Sequence, residues 1–268
     1  MPVVPEQNLL LDDLFDEVAQ RAVVGAIQPI LGVTRGQAVQ IVRAFDDFVA
    51  KPMGTKLKKL RGRDLATRSA MIYTARGVRD VDEWVDRVLE DRETSAIEGH
   101  IGTFVEEVAR IVSGGTKPGS GVDLQLERDG AVALYAIQNA PNTKNAGGRR
   151  ADVDSLKRAA RPLRAARRVV DMNIAVAFGR GKTTAMRSDP DVTVLASDDF
   201  WEAISGHRDF GARLLKASMA LSVLVKKRAA EEVARLKEEA RALFSDEDGG
   251  LNLDALTTPS ARERTPTL

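Results

Sequence analysis

The sequence predicts a mixed α/β fold, a small sheet flanked by helices with further helical segments before and after it. Three observations carry that expectation. Apolar residues recur at helical spacing through the first third of the chain. Near Val122 the pattern changes to period two around an Asp-Gly turn, and a β-branched run from Met172 to Phe178 closes at Gly179.

The helical spacing runs through Leu9, Leu10, Leu14, Phe15 and Val18, then Ala22, Ile27, Ile30 and Leu31, and after Gly32 through Ala38, Ile41, Val42, Phe45 and Val49. Pro52 and Gly54 interrupt it. It resumes from Asp80 to Glu93 with Val81, Trp84, Val85, Val88 and Leu89 on one face. Ser95 and Glu98 then spell S-x-x-E, a capping box that predicts a new helix running through Ile111. Trp84 and Trp201 fall in helical apolar patterns and are expected in the core.

After the glycine-rich stretch Gly114–Gly121, Val122, Leu124 and Leu126 alternate with Asp123, Gln125 and Glu127, as a strand requires. Asp129-Gly130 is a favoured two-residue hairpin turn, so Arg128 faces Ala131 and the register follows. Glu127 then faces Val132, Gln125 faces Leu134 and Asp123 faces Ala136, with Gln138 on the same sheet face. Turn-forming residues from Pro141 to Gly147 lead into a helix from about Arg150 to Val170, with Val153, Leu156, Ala160, Leu163 and Ala166 inward and a kink at Pro162. Val192–Leu195 reads as another strand and Gly211–Phe244 as a long helix. The expected organisation is a helical N-terminal region for DNA contact or dimerisation (1–93), a core (94–211), a C-terminal helix (212–245) and a polar, disordered tail (246–268).

A chain of 268 residues suits one core with helical additions. Its lack of cysteine excludes disulfides, thiolate catalysis and cysteine-bound zinc, and His100 and His207 leave little room for a histidine metal site. No apolar run reaches the ~20 residues of a membrane span, and Met1–Gln7 lacks a secretory pattern, so a cytoplasmic protein without membrane partners is expected. The net charge of +1 conceals two basic segments. Lys51–Arg68 holds seven Lys/Arg against Asp64, and Lys144–Arg168 holds nine against Asp152 and Asp154. Such density attracts phosphate backbones. The segment GRGKTT at Gly179–Thr184 is not a nucleotide loop, because Val176 stands where that motif needs its first glycine.

The hairpin carries the chemistry. It sets the Asp123 carboxylate beside an amide at the glycine-bordered end of a sheet, and magnesium-assisted phosphodiester hydrolysis needs oxygen ligands there. The segments S-A-I-E-G-H-I-G-T-F-V-E-E-V-A, G-V-D-L-Q-L-E-R-D-G, A-I-Q-N-A-P-N-T-K-N, A-V-A-F-G-R and D-F-W-E-A-I-S-G, between Ser95 and Gly206, resemble the type II restriction endonucleases of the PD-(D/E)XK nuclease superfamily. The resemblance implies a restriction-endonuclease-like mixed sheet flanked by helices, magnesium-dependent cleavage of double-stranded DNA at a short sequence, a homodimer, and functional pairing with a DNA methyltransferase. It places the first acidic position on Asp123, the second on Ala136 and the basic third on Gln138. Alanine binds no metal, and glutamine carries no charge. Superfamily members accept glutamine at the third position, and others take the missing carboxylate from the preceding helix. Glu98 is therefore assigned as the second metal ligand ahead of Glu106 and Glu107, with the Ile137 carbonyl completing the set, Gln138 orienting water or phosphate and Lys144 adding charge. Lys117, Asn139, Asn142, Lys144, Asn145, Arg149, Arg150 and Lys157 are the expected DNA contacts. The alternative reading is a catalytically degenerate DNA-binding protein on the same scaffold.

Overall fold

The computed structural model describes residues 6–66, 70–119, 121–141 and 144–257; for residues 6–16 and Ala96 it describes the backbone alone. In chain order the elements are α1 (Glu6–Leu31), α2 (Arg35–Phe45), α3 (Lys51–Lys59), α4 (Gly62–Leu65), α5 (Ala70–Ala75), α6 (Val81–Ser113), β1 (Leu124–Arg128), β2 (Ala131–Gln138), α7 (Ala146–Ala165), β3 (Val169–Val176), β4 (Thr184–Met186), β5 (Asp189–Leu195), α8 (Ser197–Ser205), α9 (Phe210–Phe244) and α10 (Leu253–Thr257). They divide into two compact units, Met1–Val49 with His100–Leu224, and Ala50–Gly99 with Val225–Leu268. The helical region expected over 1–93 is thus shared between the units.

The first unit holds the sheet, which among the described residues has the order β1-β2-β3-β5-β4. β1 and β4 run antiparallel to their neighbours, whereas β2, β3 and β5 are mutually parallel. The sheet flanked by helices that the sequence predicts is therefore present. One face packs Val132, Leu134, Ala136, Val170, Met172 and Ile174 with Val153, Leu156 and Ala160 of α7 in an apolar cluster. On other strand positions, Tyr135 meets Phe200 with ring centroids 5.9 Å apart, and the indole of the fully buried Trp201 donates to the Ala177 carbonyl at 2.7 Å. Burial of such faces is what holds strands of this length in one register.

The second unit is helical, built on Met53, Leu57, Leu65, Tyr73, Trp84, Leu236 and Phe244. Trp84 is fully buried, edge-on to Phe244 at 5.3 Å. Both tryptophans are core residues, as their helical patterns predict.

Several boundaries depart from expectation for identifiable reasons. No breaker stands between Glu93 and Ser95, so α6 runs unbroken and Ser95 is not a cap; its hydroxyl donates to the Asp91 carbonyl at 3.0 Å, one turn back. Pro52 lies in the first turn of α3, where a missing N–H costs nothing, after a turn of π geometry at Asp46–Ala50. α7 starts earlier than expected and stops at Ala165, because Arg167 takes a left-handed φ of 60° and Val169 already belongs to β3; Ala166 is consequently exposed. β4 is an edge strand that the sequence did not announce. The start of the supposed tail is built into the fold, with Leu251 buried and its N–H donating to the Arg79 carbonyl at 2.8 Å, followed by α10; residues 258–268 lie outside the described residues. The side chains of Leu9, Leu10, Leu14 and Phe15 also lie outside what is described. Among the described residues no helix is long and apolar enough to cross a membrane.

Candidate active site

The turn at Asp129 (φ 49°) and Gly130 (φ 81°) has positive φ at both central residues, as a type I′ hairpin requires. It pairs Arg128 with Ala131, Glu127 with Val132 and Gln125 with Leu134, the register that the sequence predicts. One step beyond the strand, the Asp123 N–H donates to the Tyr135 carbonyl at 2.9 Å, and the Ile137 N–H donates to Asp123 Oδ2 at 2.7 Å. The Asp123 side chain thus takes over from backbone as the acceptor for β2. The Gln138 carbonyl accepts from the Ala177 N–H at 2.7 Å, so the peptide groups of Gln138 face β3. By strand alternation those of Ile137, carbonyl included, face the Asp123 side.

Asp123 is half-buried, and burial pushes its carboxyl up to about 6. The Ile137 N–H opposes that rise; the Glu106 carboxylate reinforces it, and the Lys117 and Lys144 ammoniums oppose it. The helix carboxylate acting on Asp123 is therefore Glu106. Glu98, assigned from the sequence, is exposed two turns earlier on α6 and belongs to the other compact unit. Glu107 is engaged within its own helix, accepting from Arg110 at 2.5 and 2.8 Å.

Lys117 reaches Glu106 Oε2 at 2.8 Å. Its loop is fastened to the sheet edge by Thr116, which exchanges two backbone hydrogen bonds with Gln125 at 2.9 and 2.7 Å. Gly115 permits that approach, since a Cβ there would lie 2.7 Å from the Gln125 carbonyl and 2.6 Å from a Leu124 methyl.

Position 136 is closed to metal chemistry by packing. Ala136 is 1% exposed inside the apolar cluster with Val153 and Leu156, where a carboxylate would be desolvated without a partner. Gln138, on the same face, is buried and donates its amide to Asp152 Oδ2 at 3.1 Å. Lys144 donates to both oxygens of Asp152 at 2.7 and 2.9 Å. One carboxylate on α7 thus gathers the Gln138 amide and a lysine charge at the end of β2. Asp152 was hidden in the sequence among the arginines of a basic helix; its signal is its place next to the inward Val153.

The remaining expected DNA contacts divide. Asn145 is the N-cap of α7, its side chain accepting from the Gly148 N–H at 2.9 Å. Asn139 carries a buried, unpartnered Oδ1, and its own carbonyl accepts from the Phe178 N–H. Asn142 lies outside the described residues. Lys144, Arg149, Arg150 and Lys157 line a cleft of about 700 Å³ between α7 and the β4–β5 hairpin, but Lys157 is ion-paired with Asp189 there.

The Lys117 ammonium is bound to the Glu106 carboxylate at 2.8 Å and also acts on the Asp123 carboxylate. Among the described residues no three His, Asp or Glu side chains converge on one point. Two carboxylates and a carbonyl fit magnesium, which keeps several of its waters and takes few protein ligands.

Residues 37–223, well over half of the chain, match the family model described as Type II restriction endonuclease EcoO109I. A search of curated proteins gives no significant match.

The raised Asp123 carboxyl makes stability depend on pH. Between the ordinary aspartate value and about 6 the folded chain holds a proton that the unfolded chain releases, so this contribution is present at low pH and lost as pH rises through 6. With chelator present, Asp123→Asn, which still accepts from Ile137, is expected to stabilise the protein by about 2 kcal/mol at pH 8 and by little at pH 3. Urea unfolding at both pH values measures this; an equal effect at both would contradict it.

Proposed function

The chain belongs to the type II restriction endonuclease EcoO109I family of site-specific nucleases, and from that premise we propose that it cuts both strands of double-stranded DNA with magnesium held by Asp123, Glu106 and the Ile137 carbonyl. The observation that carries the reading is the Lys117–Glu106 pair at 2.8 Å beside the β1–β2 hairpin, whose charges, together with that of Lys144, act on the Asp123 carboxylate. Glu106 supplies the acid that Ala136 lacks, and it replaces Glu98 in that role.

When bound, magnesium supplies Lewis-acid stabilisation of the phosphate and lowers the pKa of its water. The residues of the chain do the rest. Asp123 is oriented by the Ile137 N–H, so its free oxygen has a fixed direction. Asp152 holds the Gln138 amide by its NH2 group, which leaves the amide oxygen to accept from a water beside the scissile phosphate. The same Asp152 holds Lys144, whose ammonium restores the positive charge that glutamine at position 138 gives up. Arg149 and Arg150 in the α7 cleft grip the phosphate backbone. In the helical unit the exposed Lys56, Lys58 and Lys59 are a further phosphate-attracting surface.

A two-fold DNA site calls for a homodimer. Its proposed contact is the exposed stripe Leu215, Met219 and Val223 on α9, 57%, 77% and 49% exposed at a spacing of one helical turn. Such a stripe can meet its own copy across a two-fold axis. We also propose pairing with a DNA methyltransferase that protects the same sequence, to be sought as a gene adjacent to this one; no such gene nearby would count against the pairing.

Digestion of mixed-sequence plasmid with magnesium tests the site. Wild type is expected to give discrete fragments, Asp123→Asn and Glu106→Gln to lose roughly a hundredfold or more in rate, and Glu98→Gln to keep activity. Asp152→Asn should fall roughly ten- to a hundredfold, as expected for a group that orients others. Tight DNA binding by wild type without cleavage would instead support the degenerate alternative, and loss in Glu98→Gln with activity in Glu106→Gln would reverse the assignment. In sedimentation, Leu215→Glu with Met219→Glu is expected to convert dimer to monomer; an unchanged dimer would place the interface elsewhere.

A further inference from the structure

Lys117 lies outside the two basic segments of the chain. It is on a loop rather than on a basic helix, its ammonium is bound to Glu106 at 2.8 Å, and its charge also acts on Asp123. Its side chain is 56% exposed, whereas that of Glu106 is 21% exposed, so the lysine can leave for solvent while the carboxylate stays. The backbone beneath it is fixed. Thr116 is hydrogen-bonded to the β1 edge, and the tight approach at Gly115 prevents that anchor from sliding. Only the four-carbon stem of Lys117 is free to swing, over a reach of about 6 Å.

We propose that the Lys117 ammonium is a resident counter-ion that stands in the place of the divalent cation until metal loads and is then released to a DNA phosphate. The inference rests on the reading of Asp123 and Glu106 as the metal ligands. Without a cation between them, two carboxylates facing one point repel, and an unfilled pair would open. Lys117 holds them in their loaded arrangement. Because a divalent ion and an ammonium cannot share that place, metal must break the Lys117–Glu106 pair. The displaced lysine, anchored at the sheet edge, becomes one more positive group for the backbone. Metal binding and DNA binding are thereby coupled through one side chain, and coupling of this kind is reciprocal.

Manganese binding to the full-length protein, followed by calorimetry and by the loss of the free-ion resonance signal, tests this without any turnover. Lys117→Met is expected to bind manganese about fivefold more tightly than wild type, the scale of a partly exposed ion pair and its charge repulsion removed. Lys117→Arg, which keeps the charge, should bind like wild type, and Glu106→Gln should bind more weakly than either. In parallel, calcium should strengthen DNA binding by wild type more than by Lys117→Met. Equal or weaker manganese affinity in Lys117→Met, with Glu106→Gln still impaired, would overturn the role of Lys117 and leave the metal site standing. If Glu106→Gln binds manganese as wild type does, the metal ligands are misassigned and this inference falls with them.

Discussion

The candidate site depends on the register of the β1–β2 hairpin, and the register depends on a two-residue turn. Asp129 and Gly130 can both hold positive φ, which matches the twist of the strands they join. Once Arg128 faces Ala131, every later pair is set, and a slip of one residue would turn the apolar set of β2 to the wrong face. Asp123 then falls just past the end of β1, where its side chain rather than its peptide group meets the Ile137 N–H. The same register leaves the outer edge of β1 at Gln125 for Thr116 and carries the Gln138 side chain to Asp152 of α7. A turn far from the chemistry thereby decides which groups meet at it.

Charge accounts for the next level. Asp123 is half-buried, and burial opposes its ionised form more strongly than its single backbone donor favours it. Lys117 and Lys144 compensate in part, each held by a different carboxylate, Glu106 and Asp152. The site is thus two acid–lysine pairs placed around a third acid. Such an arrangement leaves the central carboxylate with a raised pKa, as a purely structural salt-bridge network would not, and this is in keeping with the proposal that the centre takes up a cation. Packing bears on position 136 as well: Ala136 lies in the apolar cluster beneath α7, where a carboxylate would be buried without a partner, and the proposed second acid is therefore sought on a helix.

What was legible in the sequence follows the range of the interactions. The hairpin, its register and the central strands are local patterns of period and turn chemistry, and they are found as expected. Trp84 and Trp201 are legible because their helical spacing reports one buried face. The assignment of Glu98 ahead of Glu106 follows the resemblance of the segment around Glu98 to the helix that precedes the family's first strand, and a match of letters does not say which turn of a helix continuous from Val81 to Ser113 faces the sheet. Asp152 and the Lys117–Glu106 pair join residues from different elements, and neither composition nor periodicity encodes such meetings. β4 escaped notice because its three residues are too few to show a period. The order of residues 246–257 escaped because Leu251 is a single apolar anchor in a polar stretch.

The central claim is that Asp123 and Glu106, from the hairpin and from α6, hold one metal ion between them. Anomalous diffraction from crystals of the protein soaked in manganese measures this directly. The account predicts a peak within about 2.3 Å of an oxygen of each carboxylate, with the Ile137 carbonyl as a further ligand and Lys117 withdrawn from Glu106. A peak on Glu98, or one on Asp123 with Glu106 still bound to Lys117, would contradict it.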